Sequence, residues 1–154
     1  MANIRILLAE DHVVVRESIR QSLNRERDLE VVGEASDGEE AVQLTDKLKP
    51  DVVIVDVAVP KLTGIEATRQ IKAFLPSVAV LILTGYDYDE HIFGLMEAGA
   101  AGYLLKDVSG DELIHAIRAV YAGEPVLHHI VARKLMSRFT SEAGKTARVS
   151  HLLT

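Results

Sequence analysis

Five short aliphatic runs, each followed by a stretch of helical spacing, fill the first 123 residues and leave few folds open. The runs span residues 4–9, 30–35, 52–55, 78–83 and 102–105, which is strand length, and most are rich in Val, Ile and Leu. Between them, Val14, Val15, Ile19 and Leu23 predict a helix over 13–25, and Ala41, Val42, Leu44 and Leu48 predict one over 39–48. Further helices are predicted over 65–74, 90–98 and 111–122. The last two stop at Gly99 and Gly123, where glycine readily takes the left-handed conformation that ends a helix. Five strand–helix units in succession imply an open parallel sheet with helices on both faces. The first, third and fourth runs read as apolar and belong at the buried centre. The second, Glu30-Val-Val-Gly-Glu-Ala35, is more polar and suits an edge, so the strand order 2-1-3-4-5 satisfies both.

In that order the connection reverses direction between the first and third strands, and a ligand belongs at their C-terminal ends. Glu10 and Asp11 end the first strand there, and Asp56 ends the third. Crowded carboxylates raise at least one pKa unless a cation neutralises them, which points to an oxygen site of the Mg2+ or Mn2+ type beside a potential aspartate nucleophile. The fourth strand ends in Leu83-Thr84-Gly85, offering a hydroxyl, and the fifth in Leu104-Leu105-Lys106, offering a fixed positive charge. Together these parts meet the needs of an acyl phosphate: Asp56 attacks, a metal neutralises, and Lys106 with Thr84 holds the remaining oxygens. Each residue alone has a plainer reading. Asp11 reads equally well as a helix N-cap, Asp56 as a turn residue, Lys106 as a solvated side chain, Thr84 as an ordinary strand residue and Tyr103 as filling at a sheet edge. His12 reads as an exposed loop residue, and His128 and His129 as surface. The joint occurrence of the carboxylates, Thr84 and Lys106 at four strand ends separates the two readings.

Composition narrows the class. No apolar run among the 154 residues approaches the roughly 20 needed to span a membrane, and without cysteine there is neither a disulfide framework nor thiol chemistry. A cytoplasmic location fits. The net charge of -6 gives no general attraction to a phosphate backbone, so DNA binding is expected only through an output domain outside this chain. Beyond Gly123 no further strand is predicted. Residues 124–140 read as an additional helix, with Val126, Leu127, Ile130, Val131, Leu135 and Met136 at helical spacing, and 141–154 as a linker that turns apolar again at His151-Leu-Leu-Thr154.

The motifs resemble the receiver domains of two-component response regulators over residues 4 to about 123. They are Glu10-Asp11, Asp56-Val-Ala-Val-Pro60 followed by Gly64, Leu83-Thr84-Gly85 and Ala98-Gly-Ala-Ala-Gly-Tyr-Leu-Leu-Lys106. Within that family, Glu10-Asp-His12 with Arg16, Val32-Gly-Glu-Ala35, Lys106-Asp107 and the terminal His151-Leu-Leu-Thr154 resemble the NarL/LuxR-type subgroup, which carries a helix-turn-helix output domain. The resemblance implies a flavodoxin-like (CheY-like) α/β fold with a doubly wound five-stranded parallel sheet. It also implies a switch rather than an enzyme, with self-phosphorylation from a phosphodonor and slow self-dephosphorylation as its only chemistry.

By the same resemblance Asp56 is the phosphoacceptor, Glu10 and Asp11 are the acidic metal pair, and Ala58 lends a backbone carbonyl to Mg2+. Thr84 and Lys106 are the switch hydroxyl and phosphate-binding lysine, and Tyr103 is a switch aromatic that turns inward. The implied partners are a sensor histidine kinase and a second copy, met through the helices over 13–25 and 111–122 or through the face of the helices over 90–98 and 111–122. Val59 stands where methionine is commoner, and Asp107 where many receivers have a proline. Ala58 and Tyr86 occupy positions that tune phosphoryl lifetime. A haloacid-dehalogenase-type phosphatase would need a second aspartate where Ala58 stands. A flavodoxin-like electron carrier would find its phosphate repelled by Glu10 and Asp11. A single-domain or phosphorylation-independent receiver, acting through protein contacts alone, is the remaining alternative.

Overall fold

The computed structural model describes residues 3–57, 62–85, 94, 97–127, 132–133 and 136. In chain order these form β1 (Ile4–Ala9), α1 (Val13–Asn24), β2 (Leu29–Ala35), α2 (Gly38–Leu48), β3 (Val52–Asp56), α3 (Gly64–Phe74), β4 (Ala79–Thr84), β5 (Gly102–Leu105), α4 (Gly110–Tyr121) and β6 (Val126–Leu127). All the strand pairs are parallel, in the order β2-β1-β3-β4-β5-β6. Gly94, Glu97 and Ala98 are helical, as expected for 90–98; the other positions of that helix lie outside the described residues. Gly99 and Gly123 take the positive φ that the helix ends require, at 101° and 89°.

Alternation along the strands sorts the core into two halves. Leu7, Val53, Val55, Val80, Ile82 and Tyr103 pack on one face with Ala41 of α2 and Ile71 of α3. Ile6, Leu8, Ile54, Leu81, Leu83 and Leu104 pack on the other with Leu23 of α1 and Ile117 of α4. Three helices start the same way, with a short polar side chain accepting from an amide three residues on. Asp37 takes Glu40 N–H at 2.8 Å, Thr63 takes Glu66 N–H at 3.3 Å and Ser109 takes Glu112 N–H at 3.1 Å. The N-cap of α1 is His12, which makes no side-chain cap bond, so Asp11 does not serve as the helix cap its sequence position allows.

The sheet has six strands rather than the expected five, and the segment after Gly123 does not enter a helix at once. Val126 donates its N–H to Ala101 O at 3.2 Å, and Tyr103 lies in register with Leu127. The outer edge of β5 leaves backbone groups to be paired, and residues 126–127 pair them before helical conformation appears at Ala132, Arg133 and Met136. Gly102 permits the approach, because a Cβ there would stand 3.1 Å from Val126 O and 2.8 Å from Leu81 Cδ1.

Candidate functional site

Alternation also decides which strand-end residues can meet. Glu10 continues the face of Ile6 and Leu8, Asp56 that of Val52 and Ile54, and Lys106 that of Leu104, all on the α1/α4 side. Their side chains converge. Lys106 Nζ stands 2.5 Å from Asp56 Oδ2 and 3.1 Å and 3.2 Å from the two oxygens of Glu10. Thr84 and Tyr103 continue the opposite face, with Ile82 and Tyr103 paired across β4 and β5.

Glu10 is 1% exposed and Asp56 2%, so each needs a neutralising neighbour. Lys106 is that neighbour. Burial disfavours its ammonium, but the hydrogen bonds and charges of Asp56 and Glu10 outweigh that cost and raise its pKa above the ordinary lysine value. The loop is fixed by Lys106 N–H donating to Thr84 O at 2.7 Å. Behind it, Arg16 Nη1 donates to Glu10 O at 2.9 Å and holds the end of β1 to α1. Val57 N–H reaches Leu83 O at 3.1 Å and Gly64 N–H reaches Val57 O at 3.2 Å, which anchors the chain on either side of the loop after Asp56.

Glu10, Asp11, His12 and Asp56 each present a donor atom within 4.8 Å of the others. Glu10 Oε2 is buried and makes no hydrogen bond, but it is ion-paired with Lys106 Nζ at 3.1 Å. Three carboxylates with a buried acceptor oxygen fit a hard divalent cation. Sequence reasoning missed the part of His12. Its side chain is 66% exposed, as expected of a loop, yet its Nδ1 lies 2.8 Å from Glu10 Oε1 and 3.3 Å from Asp11 Oδ1. The hydrogen bond to Glu10, aided by the charges of Asp11 and Glu10, raises its pKa above the ordinary histidine value. The available signal was its place two residues after a buried strand-end carboxylate.

The structure thus brings together Glu10, Asp11, Asp56 and Lys106, with Thr84 buried at the adjoining strand end. Tyr103 is fully buried, already in the inward position expected to follow modification. Ala58, Val59, Tyr86, His128 and His129 lie outside the described residues.

Residues 6–118 match the family profile described as "Response regulator receiver domain". Among curated proteins, the chain is 44% identical over 134 residues to the uncharacterized transcriptional regulatory protein YxjL of Bacillus subtilis, covering 87% of this chain and 62% of that one. It is 42% identical over 151 residues to the transcriptional regulatory protein LiaR of the same organism, covering 98% and 71%. Among solved structures, a LuxR-family two-component response regulator from Aurantimonas sp. superposes with a TM-score of 0.84 at 34% identity, over 90% of this chain and 99% of that one.

Proposed function

The chain belongs to the response regulator receiver family, and from that premise we propose that it is a phosphorylation switch in which Asp56 accepts a phosphoryl group from a sensor histidine kinase. The observation that carries the reading is the buried contact of Asp56 and Glu10 with Lys106 at one sheet edge. An Asp56 carboxylate oxygen attacks the phosphorus of the donor, an acyl phosphate forms, and the donor's imidazole leaves. Lys106, whose pKa is raised, keeps its charge through this exchange and moves from the carboxylate to a phosphoryl oxygen. Thr84 closes on another oxygen with its hydroxyl. Because Thr84 and Tyr103 share one face of the sheet, movement of the first changes the packing available to the second. Glu10, Asp11 and Asp56, with the Ala58 carbonyl by the family resemblance, would hold Mg2+ or Mn2+, which would neutralise charge on the phosphoryl oxygens.

The chain spans 62% and 71% of the two regulators reported above, so the output belongs to a longer protein of that kind. In this reading residues 1–123 form the receiver, 124–140 add a further segment with helix after the 126–127 strand pairing, and 141–154 lead toward a helix-turn-helix domain that binds DNA and regulates transcription. The protein works in the cytoplasm; no helix among the described residues is long and apolar enough to cross a membrane. Phosphorylation favours a homodimer, with α1 and α4 as the contact, since Val13 and Val14 at the start of α1 are 54% and 79% exposed. Its only chemistry is self-phosphorylation from a phosphodonor, the kinase or a small acyl phosphate, and slow loss of the group as inorganic phosphate.

Acetyl phosphate with Mg2+ is expected to add one phosphoryl mass to the chain, and none to the Asp56→Asn variant. Lys106→Ala is expected to keep its Mg2+ binding, tightened somewhat because the competing ammonium is gone, but to lose the conformational response. Failure of the wild-type chain to gain the adduct, or to bind beryllium fluoride, would leave contacts alone as its mode of action.

A further inference from the structure

We propose that Arg16 is a positioning residue for phosphoryl transfer to Asp56 and acts through the backbone of Glu10. The inference rests on the phosphoacceptor reading of the site and adds to it a side chain from outside the cluster. Glu10 is 1% exposed, and its carboxylate shares Lys106 with Asp56. Where that carboxylate stands depends on how the chain leaves β1. The pairing of β1 with β3 stops at Ala9 and Val55, so the sheet holds residue 10 from the β2 side only, where Glu10 N–H donates to Ala35 O at 3.0 Å. The carbonyl of Glu10 is held by a side chain instead. Arg16 Nη1 donates to it at 2.9 Å.

Arg16 can reach that carbonyl because it lies one turn into α1, its own N–H bonded to His12 O at 2.9 Å. Its side chain is 19% exposed, and its Nε stands 3.6 Å from Oε1 of Glu34, which lies beside Leu8 in the register of β1 and β2. A planar guanidinium can serve a carbonyl with one nitrogen while another faces a carboxylate; an ammonium offers one point of attachment. The two contacts differ in kind. Glu34 has a second cation, since Arg20 Nε stands 3.7 Å from the same oxygen, whereas among the described residues Arg16 alone reaches the Glu10 carbonyl with a side chain. Loss of Arg16 therefore frees the peptide that carries Glu10, and a displacement there is passed to the carboxylate beside Lys106 and Asp56. A misplacement of about 1 Å near a reacting centre costs up to about a hundredfold in rate.

The test compares three variants of the whole chain. Arg16→Met keeps the stem and loses both contacts, Arg16→Lys keeps a donor for the carbonyl, and Glu34→Gln removes the carboxylate while leaving the bond to Glu10. Denaturant titration reads the fold, the rate of Asp56 phosphorylation by saturating acetyl phosphate reads the site, and calorimetric titration with Mg2+ alone reads it without turnover. Arg16→Met is expected to react, and to bind Mg2+, about tenfold or more weakly than the wild-type chain. Arg16→Lys is expected to fall between the two, and Glu34→Gln to match the wild type in rate and affinity whatever its stability. Wild-type rate and affinity in Arg16→Met, or in Arg16→Lys should the first variant not fold, overturn the assignment. So does equal slowing in Glu34→Gln, which would trace the effect to the seating of α1. In those outcomes the wild-type chain still takes its phosphoryl group and the acceptor reading stands; a wild-type chain that takes none overturns both.

Discussion

Lys106 is where the residue scale is most exposed to test, because one ammonium serves two buried carboxylates. Lys106→Met keeps the stem and removes the charge, leaving Glu10 and Asp56 facing each other. A fully buried pair so broken costs about 3–5 kcal/mol, but the lysine is partly exposed and solvent screens the remainder, so about 1–2 kcal/mol is expected. Since the folded pKa is raised, the ammonium's contribution is complete below the ordinary lysine pKa and lost only as pH climbs through the higher folded value. The deficit measured by denaturant titration should therefore hold steady from about pH 7 to 9 and shrink in more alkaline solution. Added Mg2+ should raise the melting temperature of Lys106→Met more than that of the wild-type chain, because the cation replaces the missing charge. An equal rise in both would mean that Lys106 and the metal do not share the carboxylates. Glu10, Asp56 and Lys106 were legible in the sequence because strand alternation and strand order place them together with no knowledge of rotamers. The contact of His12, whose sequence position puts it near the site as an exposed loop residue, was not legible, because it depends on one extended N-cap conformation.

At the scale of elements, the first turn of α3 is pressed against the backbone that carries Asp56. A Cβ on Gly64 would stand 2.8 Å from Val57 Cα and 3.2 Å from Asp56 O, which are backbone atoms that cannot rotate away. Gly64→Ala should then cost about 1–3 kcal/mol by overpacking, and slow phosphorylation of Asp56 beyond what the stability loss explains. Denaturant titration beside a time course with acetyl phosphate measures both; a normal rate in a destabilised variant would show that α3 supports the fold but not the acceptor's position. In the sequence Gly64 is only a motif residue following Pro60, not a steric contact, since the approach of α3 to β3 is a tertiary fact. The same limit hid β6. Spacing from Val126 to Met136 is helical, and Ala132, Arg133 and Met136 are helical in the fold. Periodicity carries no record of the open edge of β5 beside it, and pairing with that edge outweighs the local pattern over 126–127.

For the whole molecule, the two sheet faces divide the labour. On one face Thr84 and Tyr103 are fully buried, whereas the α1/α4 face carries both the carboxylate site and an open groove of 330 Å3 lined by Val14, Ile19, Leu83, Lys106 and Leu113 among others. Lys106 therefore borders the carboxylate site and the groove at once, so a change in its partner would alter the groove wall without a long relay. Val14, 79% exposed, adds nothing to the core on which α1 rests, so its replacement by a charge should leave the monomer's stability nearly unchanged. If phosphorylation pairs two copies across α1 and α4, sedimentation of the beryllium fluoride complex should show a dimer. Val14→Glu should then weaken that dimer about tenfold or more, equivalent to about 1.4 kcal/mol, while beryllium fluoride still binds Asp56. An undiminished dimer in Val14→Glu would move the contact away from the start of α1, and the face that buries Thr84 and Tyr103 would have to transmit the change instead.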